Sequence, residues 1–199
     1  MLALPVFEET YTCREIADGL LETQRVEYLE KDVLLFVPPG GLTHMRIVEQ
    51  INDCFRVSPV PDGYDRPWQL ASENFQWELG DGTERFAVPD LTVAFPGAVT
   101  RSEFRENIAL MVEVTSPGCP ASVENDLVTK PKLYAEAGVP FYLLIDQKEG
   151  TWTLHELWDD WPGYRIHSIG HYGEPIELPR PFDFSIPTDQ WPGYSEDGE

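Results

Sequence analysis

The sequence predicts an α/β domain built around a mixed β-sheet, and three observations carry that prediction. The stretches Ile108–Thr115 (IALMVEVT) and Phe141–Ile145 (FYLLI) are almost unbroken apolar runs, as expected of strands covered on both faces. Between them Ser122–Ala137 is helical in pattern and closes on Gly138, which can take the left-handed C-cap conformation, so the two strands are expected to be joined by a right-handed parallel crossover. From Thr151 onward, short segments separated by turns such as Trp158-Asp-Asp-Trp-Pro-Gly163 read as β-hairpins.

In chain order, a helix is expected near Thr12–Leu21. Arg25-Val-Glu-Tyr-Leu29 and Val33-Leu-Leu-Phe-Val37 follow as short strands around the charged turn Glu30-Lys31-Asp32, and Pro38-Pro39-Gly40-Gly41 stops the second. From Leu42 to about Arg56 the residues Ile47, Val48, Ile51, Cys54 and Phe55 recur at helical spacing, giving one amphipathic helix. Gln69–Leu79, Phe86–Phe95 and Ile108–Thr115 are strand-like. In the helix after them, Pro131 must introduce a kink or lie in a first turn. Thr151–Leu157, Tyr164–Ile169 and short strands up to Ile186 complete the chain.

At 199 residues the chain has the size of one domain, expected over residues 1–194, with 195–199 as an acidic C-terminal end. Its 35 acidic and 14 basic residues leave a formal net charge of -21, spread over both halves. Such a field opposes diffuse binding to phosphate backbones or anionic membranes, which depends on Lys and Arg. With 42% apolar residues and six Trp, the chain has more burial potential than an acidic disordered segment. No run approaches the roughly 18 apolar residues of a membrane span, and Glu8 and Glu9 stand where a signal peptide carries positive charge. A cytoplasmic protein without a membrane partner is expected. Cys13, Cys54 and Cys119 are odd in number, far apart and without CxxC pairing, which indicates buried or incidental thiols rather than disulfides or a zinc site.

Three polar positions sit where a core-building sequence would not place them. Asp90 follows Pro89 within Phe86–Phe95, Glu113 interrupts Leu-Met-Val-Glu-Val, and Lys130 lies four residues after Asp126 and four before Tyr134, so Asp126, Lys130 and Tyr134 share one helical face. If the first two strands are neighbours, Asp90 and Glu113 approach each other across the sheet. Buried carboxylates side by side repel, and a divalent cation removes that cost. Oxygen ligands of this kind suit Mg²⁺ or Mn²⁺, which activate water and neutralise charge on a phosphoryl oxygen while an ammonium orients the water. The same residues admit a metal-free reading, in which Asp90 caps a turn and Glu113 pairs with Arg101, Arg105 or Lys130 in a buried salt bridge. His44 opens the long helix, where it either hydrogen-bonds a turn carbonyl or serves as a base. Tyr134 is expected to pack its ring and hydrogen-bond locally, and His155, His167 and His171 to be surface or structural. The tryptophans at 152, 158, 161 and 191 either form a minicore in the hairpins or stack on bases.

The order Val88-Pro89-Asp90-Leu91-Thr92-Val93, then Leu110-Met111-Val112-Glu113-Val114-Thr115-Ser116-Pro117, then Asp126-x-x-x-Lys130-x-x-x-Tyr134-Ala135-Glu136-Ala137-Gly138-Val139-Pro140-x-Tyr142-Leu143-x-x-Asp146 resembles the Uma-type family of "putative restriction endonucleases", placed in the PD-(D/E)XK nuclease superfamily. The resemblance runs over roughly Arg25 to Asp146. It implies a restriction-endonuclease-like mixed sheet flanked by helices, with Asp90 as the metal-binding Asp of the PD motif and Glu113 as the acid of the (D/E)XK strand. The backbone carbonyl of Val114 would be a further metal ligand. Thr115 stands where the motif has Lys, so the resemblance makes Lys130 on the following helix the candidate lysine; Lys132 fits the spacing less well. It also matches His44 to a histidine opening the long helix, and Glu27 to an acid of the early segment. The chain departs from the family in having Glu30-Lys31-Asp32 where an Asp-Gly turn is common, and Phe141 where an acid is common.

The expected activity is Mg²⁺- or Mn²⁺-dependent hydrolysis of DNA phosphodiester bonds, with DNA held weakly without metal and a homodimer allowed. Two rivals stay open: a nuclease fold serving only as an interaction module, and a hydrolase of a smaller phosphoester. Both are favoured by the scarcity of Lys and Arg.

Overall fold

The computed structural model describes residues 26–30, 33–36, 40–72, 77–78, 85–160 and 162–194. The expected helix near Thr12–Leu21, Cys13, Arg25, Lys31 and Asp32 of the first turn, the Pro38-Pro39 stop, Trp161 and the acidic end all lie outside those residues.

The chain runs β1 (Val26–Glu30), β2 (Val33–Phe36), α1 (Leu42–Val57), β3 (Gln69–Ser72), β4 (Trp77–Glu78), β5 (Phe86–Ala87), β6 (Leu91–Ala94), α2 (Arg101–Glu106) and β7 (Ile108–Val114). It continues through α3 (Pro120–Glu124), a π-helical turn (Asn125–Thr129), α4 (Lys130–Glu136), β8 (Phe141–Asp146), β9 (Thr151–Leu157), β10 (Tyr164–His171), β11 (Ile176–Leu178) and β12 (Phe184–Ile186). Among the described residues the main sheet has six strands in the order β10-β9-β8-β7-β6-β3, and a smaller one has the order β2-β1-β5-β4. Every pairing in the main sheet is antiparallel except β7 with β8, the pair joined through α3 and α4. The mixed sheet and its single parallel crossover are as the sequence predicts.

Strand alternation divides the core into two layers. Leu110, Val112 and Val114 of β7 pack with Leu143 and Ile145 of β8 against Ile47, Val48, Ile51 and Phe55 of α1, the apolar face read from the spacing. Each such side chain taken out of water contributes about 1.5–3 kcal/mol. Met111 points the other way, into a layer with Tyr142 and Leu144 of β8 and with Leu133 and Tyr134 of α4. Trp152 and Trp191 are buried in the first layer, whereas Trp158 is exposed and carries Arg165 over its ring. The minicore reading therefore holds for two of the three hairpin tryptophans among the described residues.

Two expected strands are each divided between sheets. Within Phe86–Phe95, β5 pairs with β1 and β4, whereas β6 pairs with β3 and β7. The break falls at Val88-Pro89-Asp90, where Pro89 has no N–H to continue a ladder and the chain bends at Asp90. Gln69–Leu79 likewise supplies β3 to one sheet and β4 to the other. The expected helix Ser122–Ala137 is interrupted by the π-helical turn, which leaves Pro131 in the first turn of α4. Gly138 ends α4 with φ at 78°, the left-handed cap expected there.

Candidate functional site

The β6–β7 register places Leu91 opposite Val112, so one step further Asp90 stands opposite Glu113. Both are buried, at 3% and 1% exposure. The bend after Pro89 turns the Asp90 carboxylate across the end of β7, where its Oδ2 accepts the Val114 backbone N–H at 2.8 Å and lies 3.0 Å from His44 Nε2. In an extended strand the N–H and C=O of one residue leave by the same edge, so the Val114 carbonyl also faces the Asp90 side. His44 is thus bound to a carboxylate rather than to a turn carbonyl. Gly40 lies so close to its imidazole that any Cβ there would collide with the ring.

Alternation along β7 points Glu113, like Met111, toward α4, and there it meets Lys130. The Lys130 ammonium is 3.0 Å from Glu113 Oε1, 3.0 Å from Glu27 Oε1 and 2.9 Å from Asp126 Oδ1. Glu27 comes from β1 in the smaller sheet and also accepts the Val88 backbone N–H at 2.9 Å. It ties the residues just before Asp90 to the same lysine. Tyr134, wholly buried, donates its hydroxyl to Glu113 Oε1 at 2.7 Å. This partner is 21 residues away, so the expectation of a local hydrogen bond for Tyr134 is corrected. Thr115, in the place of the motif lysine, accepts the Gln147 N–H on its hydroxyl at 3.1 Å and the Gln147 side-chain amide on its carbonyl.

The five site residues expected from the sequence, Asp90, Glu113, Lys130, His44 and Glu27, therefore meet in one buried cluster with the Val114 peptide at its edge. Of the alternative cations for Glu113, Lys130 is the one it meets. Arg101 and Arg105 stand on α2, at the opposite end of β7 from Glu113. Lys132 is exposed. Asp126 was legible only as a neighbour of Lys130 on one helical face, and the roles of the Tyr134 and Tyr142 hydroxyls carried no local signal. Among the other histidines, His155 is half-buried against the rings of Tyr142 and Tyr164, and His167 pairs with Glu156.

Three buried carboxylates share the Lys130 ammonium, and a fourth, that of Asp90, lies beside them. Burial pushes the Glu113 carboxyl well above its usual range; Lys130 opposes the shift, while Asp90, Asp126 and Glu27 add to it. Burial likewise raises Asp126 to about 6 against Lys130, with help from Asp90 and Glu27. For Lys130, burial alone would favour the neutral amine, but the surrounding carboxylates outweigh it and hold the ammonium well above its ordinary value. Glu27 Oε2 is buried without a hydrogen-bond partner among the described residues. An excess of buried anionic oxygen with a lone pair left over fits a hard divalent cation. Among the described residues no three or more His, Cys, Asp or Glu side chains form a ready-made metal cage. Mg²⁺ needs only one or two carboxylates, since water and substrate fill its other positions.

The Asp126 shift has a sign that can be measured. A carboxyl at about 6 in the folded state against 3.8 ordinarily holds its proton more tightly when folded. Its contribution to stability is full below pH 4 and is lost as pH rises to about 6, a change of about 3 kcal/mol. In chelator, Asp126→Asn is expected to melt at a higher temperature than the parent at pH 7.5 and to lose this component of the pH slope. Parallel melting curves for the two proteins between pH 4 and 8 would contradict it.

Compared with known proteins, residues 9–189 match the family model Uma2, described as "Putative restriction endonuclease". No curated protein matches the chain. A solved structure from Anabaena variabilis ATCC 29413, titled a putative nuclease belonging to DUF820, is similar at 17% identity, covers 85% of this chain and 93% of its own, and has a TM-score of 0.51. At that identity the likeness concerns the fold, which is a nuclease-like α/β fold with a mixed sheet. Among the described residues no helix is long and apolar enough to cross a membrane.

Proposed function

The chain belongs to the Uma2 family, and from that premise we propose that it is a metal-dependent endonuclease that hydrolyses DNA phosphodiester bonds. The observation that carries the reading is the buried excess of carboxylate around Asp90 and Glu113, with the Lys130 ammonium beside it. Asp90 and Glu113, with the Val114 carbonyl, are the residues that would hold Mg²⁺ or Mn²⁺. Bound there, the ion supplies Lewis acidity toward a phosphoryl oxygen and lowers the pKa of water.

The chain's own groups divide the remaining work. Lys130 stays protonated because its carboxylate neighbours stabilise the ammonium, so it is a cationic donor that orients water or meets developing negative charge, and not a proton acceptor. Tyr134 and Lys130 both bond Glu113 Oε1, which fixes the carboxylate and directs its second oxygen away from them. His44 and the Val114 N–H do the same for Asp90, and Glu27 anchors Lys130 from the smaller sheet. The net charge of -21 predicts that DNA is held weakly and that engagement depends on the metal.

Incubation with supercoiled plasmid in Mg²⁺, Mn²⁺ or chelator tests the reading. Nicking or linearisation in metal and none in chelator is the expected result; an intact plasmid in both metals sinks it. The same charge favours a second reading, hydrolysis of a smaller phosphoester that needs no basic groove. Metal-dependent turnover of bis(p-nitrophenyl) phosphate with plasmid left intact would select that one.

A further inference from the structure

The π-helical turn is where Asp126 and Lys130 are presented to the site. In it the Lys130 N–H reaches back to the Asn125 carbonyl, five residues before, instead of to Asp126 as in an α-helix. The next donor in that register would belong to residue 131, which is a proline. The Asp126 carbonyl is therefore passed over on both counts, and a buried carbonyl left without a donor is costly. Its donor comes from across the layer: the Tyr142 hydroxyl, on β8, reaches it at 2.6 Å. Tyr142 is wholly buried, and its ring lies 5.6 Å from that of Tyr134, 5.6 Å from His155 and 6.0 Å from Tyr164. The hydroxyl is thus delivered by a rigid strand and a packed set of rings.

From the backbone at Asp126 the linkage continues through its carboxylate to the Lys130 ammonium at 2.9 Å, and from there to Glu113 and Glu27. We propose that Tyr142 is a positioning residue, whose hydroxyl fixes the π-helical turn and thereby the place of the Lys130 ammonium at Glu113; its catalytic consequence rests on the hydrolysis proposed above. An unsupported turn can recover a hydrogen bond by returning Lys130 N–H to the Asp126 carbonyl. That change of register removes the inserted residue and swings Lys130 relative to β7.

Tyr142→Phe removes the hydroxyl and keeps the ring contacts. In plasmid cleavage with Mg²⁺, kcat is expected to fall about 10- to 100-fold, the scale of a misplacement near 1 Å. KM and the Mg²⁺ Kd by calorimetry are expected to stay within about twofold, since Asp90 and Glu113 are untouched. Nitrogen-15 NMR of the lysine ammonium groups gives a readout independent of activity. The Lys130 ammonium, buried among three carboxylates, is expected to exchange with water about tenfold faster in the variant. A variant that keeps the parental kcat, or the parental exchange rate, overturns the assignment. Should the parent itself cleave no plasmid, the nuclease reading fails, and the exchange rate alone decides whether Tyr142 positions Lys130.

Discussion

The Glu113→Gln protein is expected to fold at least as stably as its parent at pH 7 while cleaving plasmid about 10³-fold more slowly, or not at all, the loss of several kcal/mol of metal-derived stabilisation of the transition state. The two halves of this outcome have the same origin. Burial, reinforced by the charges of Asp90, Asp126 and Glu27, raises the Glu113 carboxyl although Lys130 opposes it, so the fold works against ionisation at this position. Glutamine keeps the shape and can still accept from Tyr134, but it cannot supply an anionic ligand. Asp90→Ala removes comparable activity but behaves differently in stability. The Asp90 carboxylate accepts the Val114 N–H and meets His44, so its truncation leaves a buried donor behind and is expected to lower the melting temperature. Calorimetric titration with Mg²⁺ and thermal melts of the two variants separate these effects. A Glu113→Gln protein that cleaves at the parental rate would remove Glu113 from the site.

How much of this was legible in the sequence depended on how local each signal was. Asp90 and Glu113 stood out because a carboxylate in an apolar run conflicts with the strand pattern, and Lys130 stood out by its helical spacing from Asp126. The parallel crossover was legible because a helical stretch lay between two apolar runs. The break of Phe86–Phe95 was missed because apolar residues continue across it; Pro89 was the available signal, and it separates two sheets rather than bending one strand. Glu27 entered through a family resemblance alone, because nothing near it in the chain reveals that β1 brings it to Lys130. The hydroxyls of Tyr134 and Tyr142 act over 21 and 16 residues, and an aromatic residue in an apolar layer looks the same in sequence whether or not its hydroxyl has a task. The π-helical turn is foreshadowed by Pro131 but set by the tertiary donor that satisfies Asp126.

Lys130→Met is the substitution from which the largest loss of stability is expected. Its ammonium is the partner common to Glu27, Glu113 and Asp126, all buried, and methionine fills a similar volume without charge. Removing one partner of a buried ionic cluster costs about 3–5 kcal/mol, which for a chain of this size lowers the melting temperature by roughly 10 °C. The deficit is electrostatic, so it has a direction in pH. Without the ammonium the folded-state carboxyls rise further, the folded protein binds protons more readily than the unfolded chain, and the variant regains stability as pH falls from 8 toward 5. Adding Glu113→Gln removes one of the stranded charges, so the double variant is expected to be more stable than Lys130→Met alone, and the two changes to be non-additive. Mg²⁺ is expected to raise the melting temperature of Lys130→Met with the logarithm of its concentration relative to Kd, as any ligand of the folded state does. A Lys130→Met protein that melts with its parent at pH 7.5 in chelator would mean that the ammonium does not compensate the buried carboxylates, and the electrostatic account of the cluster would fall with it.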